Sequence, residues 1–503
     1  MKAFFARSRH SLVPQQQQQQ QQQQGSQQDS NEHSPPSYPP QASGAYLAPP
    51  PPYSETVETP SSGSGAAVVE TINTDTTASA SGSQTAAGLA SKTRRPLRDD
   101  EAALHLAVKN NHVSVVRALI KAGVDVSCAD SSGWTPLQKV VSHHQEKAVE
   151  AVNALLIAGA DVLAVNDEGM TALGVAASKN LQGISDILLK AGAEINPSDP
   201  KAVPWSPYLL AAWSGHLELM KFYLNWGADA HAVNDGGWNA LHVAARRNHF
   251  PVLRFVLSTK KPLSVKSVIY DKRTALHIAA KYNNLEIARF LINSGTPVHA
   301  RNESGYTALH AAAGEGHDEI ALLLIESGSD VNAKADDDWT PLAMTAYHNK
   351  ESTARLLVEK GKANIEIMNS SGWTPLLLAA RWGYVGIVKY LIGLGANLNV
   401  VSTLNRTPLH MAALHQHEEI ARMLVGLDID VSAADKDGWM PLHLAARNGA
   451  EAIVSLLLES GADPHAEFKP DGVSSSPLQL AAENGHEKVV EMILQARKRV
   501  QKK

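Results

Sequence analysis

The sequence contains a single cysteine, Cys128. A disulfide framework needs pairs and a cysteine-built zinc fold needs clusters, so both are excluded. Zinc-dependent ring-type ubiquitin ligases, zinc fingers and the cysteine-rich acyltransferases go with them. A lone thiol suits the reducing cytosol or nucleus, and the expected location is cytoplasmic, nuclear or both. Aromatic residues are also scarce, at 5% of 503, and the formal net charge is only −5. No global basic field therefore draws the chain to nucleic acid, and no direct nucleic-acid partner is expected. No apolar run approaches the roughly 18 residues of a membrane span, so no membrane association is expected. Residues 1–13 carry Lys2, Arg7 and Arg9 beside Phe4 and Phe5, with no acid before Asp29. They lack the continuous apolar core of a secretory signal, which leaves an organelle transit segment or a plain disordered start.

What is present divides into two regions of different physics. Residues 1–98 read as a disordered tail rich in Gln, Pro and Ser. Gln15 to Gln24 is an unbroken glutamine run, followed by a proline-rich stretch from Ser34 to Tyr53 and then Ser, Thr, Ala and Gly to about Ala90. Large aliphatic residues are too few here to offset the entropy of ordering the backbone. Two phrases in the tail fit the Pro-Pro-x-Tyr ligand of WW modules: Pro35 and Pro36 with Tyr38, and Pro50 and Pro51 with Tyr53. Prolines preset an extended helix and the tyrosine fills an aromatic-lined pocket, so a WW-domain protein such as a ubiquitin ligase is an expected partner. Against this stands chance matching in proline-rich sequence. The glutamine run likewise reads either as repeat expansion or as an association-prone transcriptional segment.

From Asp99 onward the sequence repeats itself. A Thr-Pro-Leu-His-x-Ala-Ala-like phrase begins at Ala102, Thr135, Thr171, Ser206, Asn239, Thr274, Thr307, Thr340, Thr374, Thr407, Met440 and Ser476, most often 33 residues apart. Each unit predicts two short antiparallel helices and a turn. Thr374 caps the first helix with its hydroxyl, and Pro375 occupies the first helical position, where a missing N–H costs nothing. Small Ala379 and Ala380 allow close approach. A break follows at Trp382-Gly383, and a second helix presents Val385, Ile387, Val388, Leu391 and Ile392 before Gly395 ends it. Helices this short are marginal alone. Stacking each unit on the next buries the apolar faces and gives a structure held by nearest-neighbour interfaces.

These phrases resemble the ankyrin-repeat family over about residues 99–497, with about twelve repeats. The clearest are Thr274-Ala-Leu-His-Ile-Ala-Ala, Thr307-Ala-Leu-His-Ala-Ala-Ala and Thr407-Pro-Leu-His-Met-Ala-Ala. The resemblance implies an all-α ankyrin-repeat solenoid that recognises proteins through a concave face and loop tips, the partner being unspecified. Several units depart from the pattern. The second carries Gln138-Lys139-Val140-Val141 in place of His-x-Ala-Ala and is expected to have a longer second helix. The connections Pro197 to Pro204 and Lys260 to Arg273 are irregular, and the latter is a candidate hinge. Asp99-Asp100-Glu101 and the basic end at 498–503 suit polar caps, and the basic end also fits a nuclear import signal.

In the family, residues just after the Ala-Ala pair point into the groove. Here they give Trp213, Arg246, Arg247, Lys281, Tyr282, Tyr347, His348, Arg381, Trp382, His415 and Arg447, a composition typical of interface hot spots. Solvated helix surface is the competing explanation. Trp134, Trp205, Trp238, Trp339, Trp373 and Trp439 precede the repeated phrase and are expected to pack adjoining loops. The repeat-phase histidines, His105, His242, His277, His310, His410 and His443, face different neighbours, so a structural role outweighs metal binding. No phosphate loop, nucleophile elbow or kinase signature occurs, and no catalytic residue, metal or cofactor is expected. The chain therefore reads as a monomeric, non-catalytic binding scaffold. A nuclear transcriptional cofactor using the Gln-rich tail is the alternative.

Overall fold

The computed structural model describes residues 95–500, apart from 145–147, 200, 428 and 469–474. The glutamine run and both Pro-Pro-x-Tyr motifs lie outside the described residues. Twenty-four helices among the described residues, α1 (Asp99–Lys109) to α24 (Glu487–Val500), form twelve helix pairs. Odd-numbered helices open each repeat and even-numbered helices close it. Every first helix packs on its own second helix and on the first helices before and after it, while second helices pack on second helices. The stack is thus two helical layers thick. None of these helices is long and apolar enough to cross a membrane.

The sequence explains why the layers differ. In α17 (Pro375–Trp382) every residue from Pro375 to Arg381 is buried, because the helix has neighbours on three sides. In α18 (Val385–Gly393) only Ile387, Val388 and Leu391 are buried. Each such aliphatic side chain contributes about 1.5–3 kcal/mol when removed from water. Small Ala379 and Ala380 let α17 approach its flanking helices, and both are fully buried. The Thr374 hydroxyl accepts from Leu377 N–H at 3.3 Å, and Gly383 follows in the left-handed conformation at φ +78°. A Cβ at Gly383 would stand 2.6 Å from the His417 ring of the next repeat, so this position requires glycine twice over.

Two sets of polar bonds lace the repeats together. The first uses the repeat-phase histidines. His310 Nδ1 accepts from Thr307 N–H at 3.1 Å, and its Nε2 donates to the Trp339 carbonyl of the following connection at 2.9 Å. His277 and His410 make the same pair of bonds, to Tyr306 and Trp439. These partners require the neutral Nε2–H tautomer. In the second unit, Gln138 takes over both roles: its Oε1 accepts from Thr135 N–H at 2.9 Å, and its Nε2 donates to Ala164 and Met170. The departure from the pattern therefore preserves the bonding. The second set runs backward. His216, His249, His317, His417 and His486 each donate through Nε2 to the carbonyl near the end of the preceding first helix, at Ser178, Trp213, Lys281, Arg381 and Arg447. Orphan carbonyls at those helix ends are thereby satisfied.

The atypical units differ from expectation in one respect. The second unit's second helix, α4 (Val149–Ile157), has nine residues like most others. Its first helix, α3 (Pro136–His144), carries the extra length instead. Between Lys260 and Arg273 the chain is irregular but anchored. Leu263 and Ile269 are buried, Val268 and Thr274 form an isolated antiparallel bridge, and Arg273 pairs with Asp271 at 2.6 Å. At the ends, Glu101 is buried against Arg95 and Arg98, while α24 continues to Val500, past the expected boundary at 497.

Candidate protein-binding face

Five of the six tryptophans that precede the first helices, all but Trp134, place their rings beside the residue at the helix's far end. The pairs are Trp205/Trp213, Trp238/Arg246, Trp339/Tyr347, Trp373/Arg381 and Trp439/Arg447, always eight positions apart. Helical side chains lean toward the N-terminus, so a long group at the helix end reaches back over the ring at its start. Trp205 meets Trp213 edge to face at 5.4 Å, and Trp339 meets Tyr347 at 5.6 Å. Arg246, Arg381 and Arg447 lie 5.6, 5.1 and 5.4 Å from Trp238, Trp373 and Trp439. These rings therefore do more than pack adjoining loops. The eight-residue recurrence was visible in the sequence, and it is the signal that joins the two sets of residues.

The predicted strip residues gather into groups instead of one continuous line. In the fourth to sixth repeats, Arg246 lies 5.2 Å from both Trp213 and Tyr282, and Arg247 lies 4.8 Å from Trp213. Trp213 itself is buried, so it forms the floor of this group. In the eighth and ninth repeats, Tyr347 stands between Trp339 and Trp382, each edge to face at 5.6 Å, and His348 meets Tyr347 edge to face at 4.8 Å. Arg381 is buried between Trp373 and Trp382, whereas Trp382 remains 37% exposed. Further along, His415 stacks on His417 at 6.0 Å, and Arg447 lies over Trp439, which also meets Phe468 at 4.3 Å and His443 at 6.4 Å. Lys281 is half-buried beside exposed Tyr282.

Backbone bonds fix the positions of these groups. The carbonyls of Trp213, Lys281, Arg381 and Arg447 accept from histidines of the following repeat. That of Arg246 accepts from Asn284 at 3.3 Å. Burial lowers the His348 imidazole below its usual range and raises the Tyr347 phenol, so both stay neutral near pH 7. The arrangement offers aromatic edges and guanidinium planes on a preordered backbone, which is recognition chemistry.

A family model described as "Ankyrin repeats (3 copies)" matches residues 78–166, 104–199, 208–302, 257–335, 333–402, 394–468 and 434–503. Its first match reaches back into the segment read as tail. The B-cell lymphoma 3 protein homolog of Mus musculus is 30% identical over 165 residues, covering 33% of this chain and 37% of the relative. Ankyrin repeat and SOCS box protein 3 of Homo sapiens is 33% identical over 153 residues, covering 30% and 29%. The chain thus spans about a third of the length of these relatives. Among solved structures, the ankyrin repeat domain of Bcl-3 matches at 25% identity with a TM-score of 0.40, covering 44% of this chain and 99% of that one. The human ASB11 ankyrin repeat domain gives the same identity and TM-score.

Proposed function

This chain belongs to the ankyrin-repeat family, and from that premise we propose that it is a non-catalytic scaffold that grips a protein partner along the face built by its first helices. The observation that carries the reading is the row of aromatic and arginine pairs eight residues apart, with Tyr282 and Trp382 left exposed. Large rigid rings beside arginines lose little entropy on binding and bury much area, so they dominate interfaces. The tail supplies a second point of attachment. Its two Pro-Pro-x-Tyr phrases, Pro35 to Tyr38 and Pro50 to Tyr53, recruit a WW-domain protein, and two copies in a short stretch favour a partner with tandem modules.

The test is affinity capture from native lysate with the full chain, beside two variants. Tyr347→Ala with Trp382→Ala should lose the partner of the stack while thermal unfolding stays within a few degrees. Tyr38→Ala with Tyr53→Ala should lose WW-containing proteins and nothing else. Identical captures from all three chains would refute both attachments.

A further inference from the structure

Several basic side chains of the stack have an acid of their own. Arg355 pairs with Glu351, Arg422 with Glu418, Lys190 with Asp186, Arg273 with Asp271 and Arg406 with Asp435. Arg246 and Arg247 do not. Among the described residues no carboxylate lies within ion-pair distance of either guanidinium, and their partners are rings: Trp213, Trp238 and Tyr282 for Arg246, and Trp213 for Arg247. The carboxylates on the adjoining loops are Asp235 and Asp271. The latter is held by Arg273 at 2.6 Å.

Two cations crowding one indole repel each other, and an arriving anion converts that repulsion into attraction. The rings lie 4.8–5.6 Å from the guanidinium centres, and each guanidinium carries a fork of N–H donors that suits a carboxylate. Beneath them Trp213 is buried against Trp205, and Tyr282 is exposed alongside, so apolar surface borders the charge. The site is also preordered. The Trp213 carbonyl accepts from His249 of the next repeat, and the Ala245 and Arg246 carbonyls accept from Asn284 at 2.6 and 3.3 Å.

We propose that Arg246 and Arg247, with Trp213, Trp238 and Tyr282, form a subsite for an acidic partner segment in which aspartates or glutamates flank an apolar residue. This rests on the reading of the first-helix face as the partner-binding surface, and it names the chemistry of the partner there. The carboxylates take the two guanidinium edges, and the apolar side chain lies against Tyr282.

The experiment is fluorescence anisotropy on the full chain with a labelled Gly-Asp-Asp-Leu-Asp-Asp-Gly peptide. Its Asn counterpart, a phosphoserine counterpart and an oligothymidylate serve as comparison probes. The Asp peptide should bind, weaken as salt is raised, and lose about tenfold or more in affinity in Arg246→Gln/Arg247→Gln. Arg355→Gln/Arg422→Gln, the same loss of two charges on second helices, should bind like the parent. The Arg246→Lys/Arg247→Lys chain should fall between, because it keeps charge but loses the planar fork, and it serves if the Gln chain fails to fold. Equal binding of the Asn peptide, or undiminished binding by the variants, overturns the subsite. Tighter binding of the phosphoserine peptide or the oligothymidylate overturns the occupant. If Tyr347→Ala/Trp382→Ala loses its captured partner while the Asp peptide fails to bind, only this inference falls. If the peptide behaves as expected and the captures are identical, the subsite stands and the eighth- and ninth-repeat group is removed from the partner-binding surface.

Discussion

A repeat-phase histidine works only while it is neutral. His310 is fully buried, accepts through Nδ1 and donates through Nε2, and burial holds its pKa down to about 4. His242, His277 and His443 are held to about 4 for the same reason, and His105 and His410 are lowered. Unfolded, each ring returns to about 6.5 and takes up a proton more readily than in the fold. A depressed histidine therefore adds stability that is complete above the unfolded value and is lost as pH falls toward the folded one. The urea midpoint should be steady above about pH 6.5 and drop steeply between there and about pH 4. A flat midpoint across that window would remove the histidines from the account. At a single position, His310→Ala should cost about 2–4 kcal/mol, since a cap and a buried carbonyl lose their partner together. His310→Gln should cost clearly less in the same melt, because Gln138 already performs this task in the second repeat. The sequence made the structural role of these histidines legible through their spacing. It did not reveal the glutamine substitute, which shares no shape with imidazole but spans the same two partners.

Within each element the caps and breaks follow from residue type. Thr374, Pro375 and Gly383 bound α17 as their chemistry dictates. Gly383→Ala should destabilise by about 1–3 kcal/mol, since it places a Cβ at positive φ and against His417. A denaturant melt checks this, and an unchanged midpoint would mean the ring simply moves aside. The connection from Lys260 to Arg273 replaces the usual glycine exit, and α10 (Phe250–Ser258) ends at Thr259 in extended conformation. Amides from 259 to 266 should exchange faster than those of α10 and of α11 (Ala275–Lys281), except at Leu263, which donates to Val256. Protection equal to the helices would make the join rigid and end the hinge idea. What the sequence reading missed was the partnership of each first helix's leading tryptophan with its last long side chain. The two were assigned to separate tasks because they lie eight residues apart, more than two turns. Only the backward lean of the side chains brings them together.

At the scale of the stack, the twelve phrases and their spacing were enough for the architecture, since each unit must hide its apolar face on the next. The face they build was legible only in outline. Family position pointed to the helix ends, but the burial of Trp213 and Arg381 depends on neighbours from adjoining repeats, which no single unit encodes. The histidines that lace repeats backward have one more consequence. Their acceptors are the carbonyls of Trp213, Lys281, Arg381 and Arg447, residues that the proposed binding face also uses. The proposed grip and the joint therefore share a residue, the side chain serving one and the backbone carbonyl the other. Tension along the chain that opened a joint would shift that residue and the side chain it carries, so the proposed hold on the partner would slacken with it. Tightening of the partner would in turn stiffen the joints it spans, and the molecule would behave as a spring whose constant is set by what it carries.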